Sequence, residues 1–441
     1  MKYYLAIDLG ASSGRHIVGY LENGEIILKE IYRFKNEMKQ SVDGLVWDIP
    51  HLFHEIKAGL KKAFEQYPNI ESLSIDGWGL DYVLMDGDKE IPPYYAYRNE
   101  RCIKSSQKAH EIIKFADIYQ KTGIQFMPFN TIYQLYDDSL NGRLSHATDY
   151  LMIPSYFFYK LTGIKTHEYT NESTTGLLNA QNGKYDEELI NRLGLPKRLF
   201  GEIKKPGCVV GDLLPEIQKE VGGNTKVVLC ATHDTACAFE SVITDEDSII
   251  LSSGSWSLLG IKSQAPIITK ESLEANYTNE GGVGYIRVLK NIMGTYLSNK
   301  LLEEIDLTYK IVDSIIQNSR YKETFDVNDP SLIAPQSMKK AILSLLKDNP
   351  PQNDIDLFAS IYHSQAAYYK KAIEELETIT NKKYKKIYII GGGAKNAYLD
   401  YLIKEYTGLK VIASQFEATS IGNIMLQMKK QQIISTFLTQ K

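Results

Sequence analysis

One pattern occurs twice in this sequence: an apolar strand, a turn of Gly and Ser, and a second apolar strand. The first copy is YLAIDLGASSGRHIVGYLENGEI at residues 4–26, and the second is IILSSGSWSLLGI at residues 249–261. Short apolar runs bounded by Gly and Ser are typical of β-strands, and glycine lets the backbone turn between them. The repetition predicts a duplicated α/β fold whose two related units each open with antiparallel strands, and EIILKEIYRF extends the first copy by a third strand.

The length of the chain also favours two domains. At 441 residues it exceeds the size at which a single hydrophobic core usually keeps growing. Apolar residues recur at helical spacing in residues 49–67, strand character returns at 70–86 on either side of a bend, and long helices are expected at about 355–380. The polar run TDEDS precedes the second copy of the pattern, which predicts one domain at residues 1–243 and another at 244–441.

The composition argues against several classes of function. The formal net charge is −4, and the nearest approach to a basic patch, NKKYKK at residues 381–386, is typical of a solvated helix end. We therefore expect no nucleic-acid partner. No run of 18 apolar residues is present, the N-terminus has no long apolar segment, and the four cysteines form no C-x-x-C pair. These features predict a cytoplasmic protein with no membrane partner, in which Cys230 and Cys237 are buried apolar thiols.

The two Gly/Ser turns are candidate phosphate sites. GASSGR at residues 10–15 follows Asp8, and SSGSW at residues 252–256 occupies the same place in the second copy. Backbone N–H groups and hydroxyls in such turns bind anions, and a carboxylate such as Asp8 suits a metal ion. Taken alone, each turn is also explained as an ordinary hairpin.

Three further segments have a chemical interpretation and a purely structural one. THDTA at residues 232–236 places Asp234 before a small-residue helix, where the carboxylate is either a general base for phosphoryl transfer or a helix cap. DGWGLD at residues 76–81 suits either a polyol site or a buried tryptophan. GGG at residues 391–393 lets the backbone approach a nucleotide, unless it only connects a strand tightly to a helix. No G-x-G-x-x-G or P-loop pattern is present.

In their order along the chain, these segments resemble the FGGY carbohydrate kinases, which have the actin/hexokinase/Hsp70-type ATPase fold. DLGASSGR is similar to the family's first phosphate loop, SSGSWS to its second, and GGGAKNAYL to its adenosine segment. The family's order is also followed by YRNER, GIQFMPFNTIYQL, YLMIPSYFFYKLTG, TNESTTGLLN, NEGGVGYIRVLKNIMG and EATSIGN. The resemblance implies two actin-like (ribonuclease H-like) domains with a duplicated mixed-sheet core and an active site in the cleft between them.

The resemblance also implies an activity, the transfer of the γ-phosphoryl group of ATP to the 1-hydroxyl of L-rhamnulose with the help of Mg²⁺. By matching motif, Asp234 is the expected catalytic base and Asp8 the expected residue for Mg²⁺. The sugar is expected to contact Gly79, Asp81 and His233. The residues expected to contact ATP are Ala11, Ser12, Ser13, Gly14, Arg15, Ser255, Asn291, Asn299, Gly392 and Gly393.

The sequence also departs from the family pattern. Gly77 and Ser255 stand where threonine is usual, Asn299 replaces glutamine, and YRNE replaces Y-R-D. Gly77 lies beside the sugar-binding bend, so a kinase of another deoxyketose, such as L-fuculose, or of a different polyol is one alternative. An actin- or Hsp70-like ATPase module and a catalytically silent sugar sensor are others, although Asp8 and Asp234 argue against the sensor. The expected assembly is a monomer or a small homo-oligomer.

Overall fold

The structure, a computed structural model, describes residues 1–413 and 417–438, with the backbone alone described in 429–438. Its strands are β1 Tyr3–Leu9, β2 Ser13–Glu22, β3 Glu25–Lys35, β4 Lys39–Ser41, β5 Gly44–Val46, β6 Ile70–Gly77, β7 Tyr82–Asp86, β8 Lys89–Ile91, β9 Asp149–Met152, β10 His167–Glu168, β11 Leu178–Asn179, β12 Lys184–Tyr185, β13 Ile203–Lys204, β14 Val209–Asp212, β15 Lys226–Val228, β16 Ser248–Ser253, β17 Trp256–Ser263, β18 Thr278–Gly281, β19 Ile286–Met293, β20 Lys386–Ile390 and β21 Lys410–Ala413.

The helices lie between and on the faces of these strands. They are α1 Ile49–Gln66, α2 Cys102–Ile112, α3 Phe115–Thr122, α4 Thr131–Leu140, α5 Ile153–Thr162, α6 Tyr169–Glu172, α7 Glu187–Arg192, α8 Pro215–Val221, α9 Asp234–Glu240, α10 Lys270–Glu274, α11 Tyr296–Leu302, α12 Tyr309–Ile315, α13 Met338–Leu345, α14 Asp354–Thr380, α15 Ala397–Thr407 and α16 Ala418–Leu438. Short 3₁₀ turns occur at Ser173–Thr175, Lys197–Leu199, Ile316–Asn318, Pro330–Leu332 and Gly392–Lys395.

The first large sheet has six strands in the order β14-β15-β6-β1-β2-β3. β1, β2 and β3 are antiparallel neighbours, and β1 pairs parallel to β6, so the predicted strand–turn–strand opening with a third strand is confirmed. Side chains of a strand point alternately to its two faces. Leu5 and Ile7 accordingly pack in the cluster that contains α1, while Tyr4 and Ala6 pack against Ile424 of α16. The strand is buried because helices cover both faces.

The second large sheet repeats this arrangement in the order β18-β19-β17-β16-β20-β21. β16 and β17 are antiparallel across the second Gly/Ser turn, β17 continues antiparallel to β19, and β16 pairs parallel to β20. Both sheets therefore share three antiparallel strands, β1-β2-β3 and β16-β17-β19, followed by two parallel ones; β18 adds an antiparallel edge strand to the second sheet and β14 adds one to the first. The predicted duplicated α/β fold is confirmed.

The parallel strands of both sheets end at one place. Leu9 ends β1, Gly77 ends β6, Ser253 ends β16 and Ile390 ends β20. The residues at or just after these ends line a common cleft. Open α/β sheets bind ligands outside the carboxyl ends of their strands, and the fold therefore indicates this cleft as the functional site.

A smaller α/β region is inserted between β6 and β15. The predicted strand at residues 70–86 is divided by its bend: β6 belongs to the first large sheet, and β7 belongs to a separate sheet in the order β8-β7-β9. Apolar side chains of this sheet, of α2 to α4 and of α7 form a separate hydrophobic cluster. The bend therefore joins two packing units and presents its residues to the cleft.

Two helices predicted from the sequence are present, and capping residues mark their ends. The helix expected at residues 49–67 is α1; the Asp48 carboxylate accepts the backbone N–H of His51 at 3.0 Å, which caps its N-terminus. The helices expected at about 355–380 are a single helix, α14. The Asn353 side chain caps its start, and Asn381, at a φ of 50°, ends it in the left-handed conformation.

Two further predictions concern the buried cysteines and membrane-spanning helices. Cys230 and Cys237 are buried free thiols, as predicted; each donates to a backbone carbonyl. Within the parts of the chain that the structure describes, none of the helices combines the length and hydrophobicity needed to cross a membrane.

Helix α16 packs closely against α9 and the first sheet. A Cβ at Gly422 of α16 would lie 1.8 Å from the carbonyl oxygen of Cys237 in α9, so the helices approach there backbone to backbone. Gln427 of α16 donates to the carbonyl of Leu5 at 3.1 Å and accepts from Ser72 Oγ at 2.6 Å. Helix α16 therefore packs against the central strands β1 and β6 of the first sheet.

We expect Gly422→Ala to destabilise the protein by about 1–3 kcal/mol, because the new methyl group forces the two backbones apart. This cost exceeds the roughly 1 kcal/mol that alanine gains over glycine in a helix. The comparison variant is Gly19→Ala, whose Cβ would meet the Ile424 side chain at 2.8 Å rather than a backbone, so we expect a smaller loss of stability. The free energy of unfolding of both variants is measured in urea. A Gly422→Ala protein as stable as the wild type would contradict the close packing.

Candidate active site

The ends of the parallel strands open into a cavity of about 400 Å³ between the two sheets. Residues from both halves of the chain line it. Most of the predicted site residues are among them: Asp8, Ala11, Ser12, Arg15, Gly79, His233, Asp234, Ser255, Asn291, Asn299 and Gly392. The fold thus brings together segments that are far apart in the sequence.

Ser13, Gly14 and Gly393 were also predicted to bind ATP, but they do not line the cavity. They lie behind the lining and shape the two turns. A side chain at Gly14 would meet the Phe34 ring at 2.1 Å, and one at Gly393 would meet Ser253 Oγ at 1.9 Å. The carbonyl of Ser13 closes the first turn with a backbone hydrogen bond of 3.0 Å. These residues let the two turns approach the cavity closely, and their direct contact with ATP stays a prediction.

Asp234 lies at the first position of α9, with its side chain facing the cavity. His233, not Asp234, is the N-cap residue. Asp234 Oδ1 accepts from the backbone N–H of Thr235 at 2.5 Å and from Thr235 Oγ1 at 3.0 Å. One third of the side chain, 33%, remains exposed. Burial and the nearby Asp8 raise the pKa of Asp234 to about 7. A carboxylate with this pKa can exchange a proton near neutral pH.

His233 is held from behind by an arginine of the second sheet. The Nη2 group of Arg287 lies 3.1 Å from His233 Nδ1, and the same Nη2 lies 3.1 Å from Glu280 Oε2. On its other side, His233 Nε2 lies 3.5 Å from Asp234 Oδ1. Burial and the positive charge of Arg287 hold the pKa of His233 well below its ordinary value, so the ring is neutral.

Carboxylates and one arginine meet at the ends of β1, β2 and β6. In the strand register, Asp8 lies opposite Asp76 on one side and opposite Arg15 on the other. Arg15 forms ion pairs with Asp8 and with Glu417, which lies just before α16. Burial, and then Asp8, raise the pKa of Asp76 well above its ordinary value, and Asn423 donates to Asp76 Oδ2 at 2.5 Å. Negative charge is thus concentrated where a cation is expected.

The bend after β6 presents Trp78, Gly79 and Leu80 to the cavity. Leu80 has a φ of 77°, which is rare for a residue with a side chain. Asp81 does not line the cavity; its Oδ2 accepts from the indole nitrogens of Trp47 at 2.7 Å and Trp78 at 3.1 Å. In the structure Asp81 stabilises the bend through these two hydrogen bonds. Its contact with the sugar stays a prediction.

On the side of the cavity formed by the second sheet, polar groups and glycines lie beside the side chains of Trp256 and Leu258. Gly391, with a φ of 83°, follows β20, and its Cβ would lie 2.9 Å from the carbonyl of Ser253. Asn291 Nδ2 donates to Gln125 Oε1 of the first half at 2.7 Å. Tyr309 donates from its hydroxyl to Asn299 Oδ1 at 2.6 Å. The turn after β16 and the glycines after β20 thus leave room for a flat ligand.

Several lining residues were not anticipated from the sequence. They are Gln125, Asn130, Thr174, Glu280, Thr295 and Thr419, together with the apolar side chains of Ile124, Met127 and Phe129. Most of them stand in loops or at the ends of strands, Thr174 lies in a 3₁₀ turn and Thr419 in the first turn of α16, with no local motif to distinguish them from surface residues. The segments that contain most of them were identified by the resemblance, and only the folded chain shows which side chain faces the cavity.

Two duplicated lobes with Gly/Ser turns and carboxylates in the cleft between them define a two-domain enzyme of the actin-like fold. Residues 3–239 match the N-terminal domain, and residues 249–430 the C-terminal domain, of the FGGY family of carbohydrate kinases. The chain therefore belongs to the FGGY family of carbohydrate kinases.

Its relatives point to one branch of this family. The chain is 40% identical over 433 residues to the rhamnulokinase of Oceanobacillus iheyensis, covering 96% of this chain and 92% of that protein. It is 39% identical over 437 residues to the rhamnulokinase of Bacillus subtilis, covering 96% of this chain and 90% of that protein.

Solved structures share the fold. A ligand-bound xylulose kinase from Lactobacillus acidophilus has a TM-score of 0.82 at 18% identity, over 98% of this chain and 90% of that chain. The glycerol kinase of Plasmodium falciparum with ADP has a TM-score of 0.76 at 15% identity, with the same coverage. At these identities the likeness concerns the fold alone.

The raised pKa of Asp234 predicts how its removal affects stability. Because the folded protein holds the proton up to about pH 7 and the unfolded chain loses it near pH 4, this carboxyl group makes the folded state less stable as the pH rises through that interval. We expect Asp234→Asn to raise the melting temperature relative to the wild type, more at pH 8 than at pH 5.

The matched control is Asp245→Asn. The Asp245 carboxylate is paired with Lys386, whose hydrogen bond lowers its pKa, so this substitution is not expected to stabilise the protein at high pH. Melting temperatures of the three proteins are compared across the pH range by calorimetry. An Asp234→Asn effect that does not depend on pH would contradict the raised pKa.

The contacts of Asp81 predict a role in holding the bend. Asp81→Ala leaves the indole N–H groups of Trp47 and Trp78 and the backbone N–H of Tyr97 without their acceptor, at about 1–3 kcal/mol for each unpaired group. We expect a lower melting temperature and a raised KM for the sugar, with the KM for ATP unchanged. Trp47→Phe removes one donor and should show a smaller effect in the same direction. An Asp81→Ala protein of wild-type stability would contradict this role.

Proposed function

We propose that this protein is a rhamnulokinase, which transfers the γ-phosphoryl group of ATP to the 1-hydroxyl of L-rhamnulose in rhamnose catabolism. The observation that carries the proposal is the Asp234 carboxylate, placed at the cavity between the lobes with a pKa of about 7. Near-full-length identity of about 40% to rhamnulokinases supports the choice of sugar.

The cavity wall suits a deoxyketose. Its first-lobe side combines an apolar surface with hydrogen-bonding groups, and the apolar part consists of Trp78, Leu80, Ile124, Met127 and Phe129. Such a surface accommodates the methyl group and carbon skeleton of L-rhamnulose, while His233, Asn130 and Thr174 offer partners to its hydroxyls. We assign sugar binding to this side, with the backbone at Gly79 facing the ring.

In the proposed reaction, Asp234 orients the 1-hydroxyl and accepts its proton. The hydroxyl oxygen forms a bond to the γ-phosphorus in line with the bond to the β–γ bridging oxygen, which breaks to release ADP. A base whose pKa lies near the working pH takes the proton without holding it too strongly for the next turnover. His233, which is neutral, adds no charge that would compete for the proton.

We assign phosphate binding to the two Gly/Ser turns. Ala11, Ser12, Arg15 and Ser255 line the cavity at these turns, and Asn291, Asn299 and Gly392 line its nucleotide side. Ser13, Gly14 and Gly393 lie behind this lining and shape the turns. Arg15 stands at the cavity edge with 18% of its side chain exposed. There its guanidinium neutralises the Asp8 carboxylate and is within reach of a phosphate group.

The carboxylates at the end of β1 fit the Mg²⁺ that kinases of this kind use. After burial, the charge of Asp8 raises the pKa of both Asp76 and Asp234, and Asp76 Oδ1 is buried with no protein partner. Carboxylate oxygens are the ligands that Mg²⁺ prefers. We assign its binding to Asp8, and the ion would neutralise charge on the phosphate oxygens.

The remaining proposals concern organisation. The end of α9 at Glu240 and the start of β16 at Ser248 support a domain boundary at residues 243 and 244. We propose that the protein acts as a monomer or small homo-oligomer.

The first test is ADP release by the purified protein with ATP and Mg²⁺ and a panel of L-rhamnulose, L-fuculose, L-xylulose, D-xylulose and glycerol. We expect clear preference for L-rhamnulose, with a 1-phosphate product identified by ³¹P NMR. Asp234→Asn is expected to lower kcat by about 100- to 10,000-fold, the usual contribution of a general base.

Asp245→Asn is the matched control, since it removes an exposed carboxylate outside the cavity lining and should keep wild-type turnover. Preference for L-fuculose would keep the kinase and change its substrate. Equal slow ATP hydrolysis with every sugar, unaffected by Asp234→Asn, would overturn the kinase assignment in favour of an ATPase module.

A further inference from the structure

Arg287 is a fully buried cation behind the cavity. It lies on β19 of the second lobe, and its side chain is 0% exposed. Its Nε group donates to the carbonyl of Gly281 at 2.9 Å, its Nη2 group contacts His233 and Glu280, and its Nη1 group has no protein partner. The phosphoryl-transfer steps described above make no use of this cation, although burying it is costly.

The contact with Arg287 decides which nitrogen of His233 carries the proton. A guanidinium group has only donors and stays protonated at all physiological pH values, so the His233 Nδ1 atom, 3.1 Å away, must act as the acceptor. A neutral imidazole with an accepting Nδ1 has its proton on Nε2.

The Nε2–H group faces the part of the cavity assigned to the sugar. Nε2 lies 3.5 Å from Asp234 Oδ1 and 3.5 Å from the position that a Cβ would take at Gly79. In this state His233 can offer a hydrogen bond to a sugar oxygen beside the reacting hydroxyl, but cannot accept one there.

We infer that Arg287 is a positioning residue that fixes His233 as the neutral, Nε2-protonated tautomer and so makes it a hydrogen-bond donor to the sugar. The role towards the sugar rests on the proposed function, whereas the tautomer does not. Glu280 supports Arg287 from the neighbouring strand β18 and compensates its charge. Because His233 belongs to the first lobe, the second lobe sets the protonation state of a first-lobe group.

A different arrangement of protons is the clear rival. Glu280 Oε2 lies 3.5 Å from His233 Nδ1 and Asp234 Oδ1 lies 3.5 Å from Nε2, so a doubly protonated ring could donate to both carboxylates. The shorter contact, 3.1 Å from Arg287 to Nδ1, then joins two cations. Like charges at this distance inside a protein are unfavourable, which favours the neutral tautomer.

The direct test is ¹⁵N NMR of protein labelled at histidine, with the His233 signals assigned by their loss in His233→Gln. We expect the chemical shifts of a neutral ring protonated on Nε2, and no conversion to another protonation state of the ring between about pH 6 and 8. A ring protonated on both nitrogens, or on Nδ1 alone, would overturn the inference. The measurement needs no turnover, so it stands even if L-rhamnulose is not the substrate.

The perturbing variant is Arg287→Gln combined with Glu280→Gln, which removes both buried charges and keeps the side-chain volumes similar. We expect the His233 signals to titrate or to show a mixture of tautomers, and the KM for the sugar to rise about tenfold while the KM for ATP is unchanged. Arg287→Lys, which keeps a donor and the charge, should restore the Nε2-protonated ring in part.

The matched control is Lys290→Gln combined with Glu375→Gln. This pair also joins β19 to a carboxylate, at 2.5 Å with the lysine side chain 7% exposed, and it lies outside the cavity lining. We expect the control to leave the His233 signals and the KM for the sugar at wild-type values. Equal changes in both double variants would overturn the inference, because they would show a general effect of losing a buried ion pair. Failure of the wild type to phosphorylate any sugar of the panel would instead count against the proposed function.

Discussion

The chemistry of the cleft depends on carboxylates that lie opposite each other on neighbouring strands and on the groups that compensate their charges. The register places Asp8 beside Asp76, and like charges directly opposite one another destabilise a sheet. Arg15, opposite Asp8 on the other side, compensates one charge, and Asn423 donates to Asp76. Burial first, and then the charge of Asp8, raise the pKa of Asp76 and that of Asp234. The chemistry of the site therefore follows from the pairing of β1 with β2 and β6.

The duplicated architecture was predictable because its signal is local. Gly/Ser turns between apolar runs occur near Gly10 and Gly254, and each turn joins two strands that pair with each other. The positions of His233 and of Asp234, the proposed base, were predictable for the same reason, since both residues follow a strand and open a helix. Local pattern and matched motif order were sufficient to predict the fold, and most of the predicted site residues line the cavity.

The rest depends on contacts between distant residues. Glu417 pairs with Arg15 across 402 residues, and Arg287 reaches His233 from the other lobe, so no local pattern indicates either contact. Asp81 illustrates a different limit. Its motif predicted a place beside the sugar, but the sequence does not tell in which direction its carboxylate points, and in the fold it points at two indole rings.

The packing of α16 has a consequence for how this chain is made. The helix lies at the end of the described residues, yet Gln427 bonds to Leu5, 422 residues earlier, and Ile424 covers Tyr4 and Ala6. During synthesis one face of the central strand of the first sheet therefore stays uncovered until residues 424–427 have left the ribosome. Exposed apolar sheet is prone to aggregation. The two lobes cannot mature one after the other as independent domains do; the first is completed last.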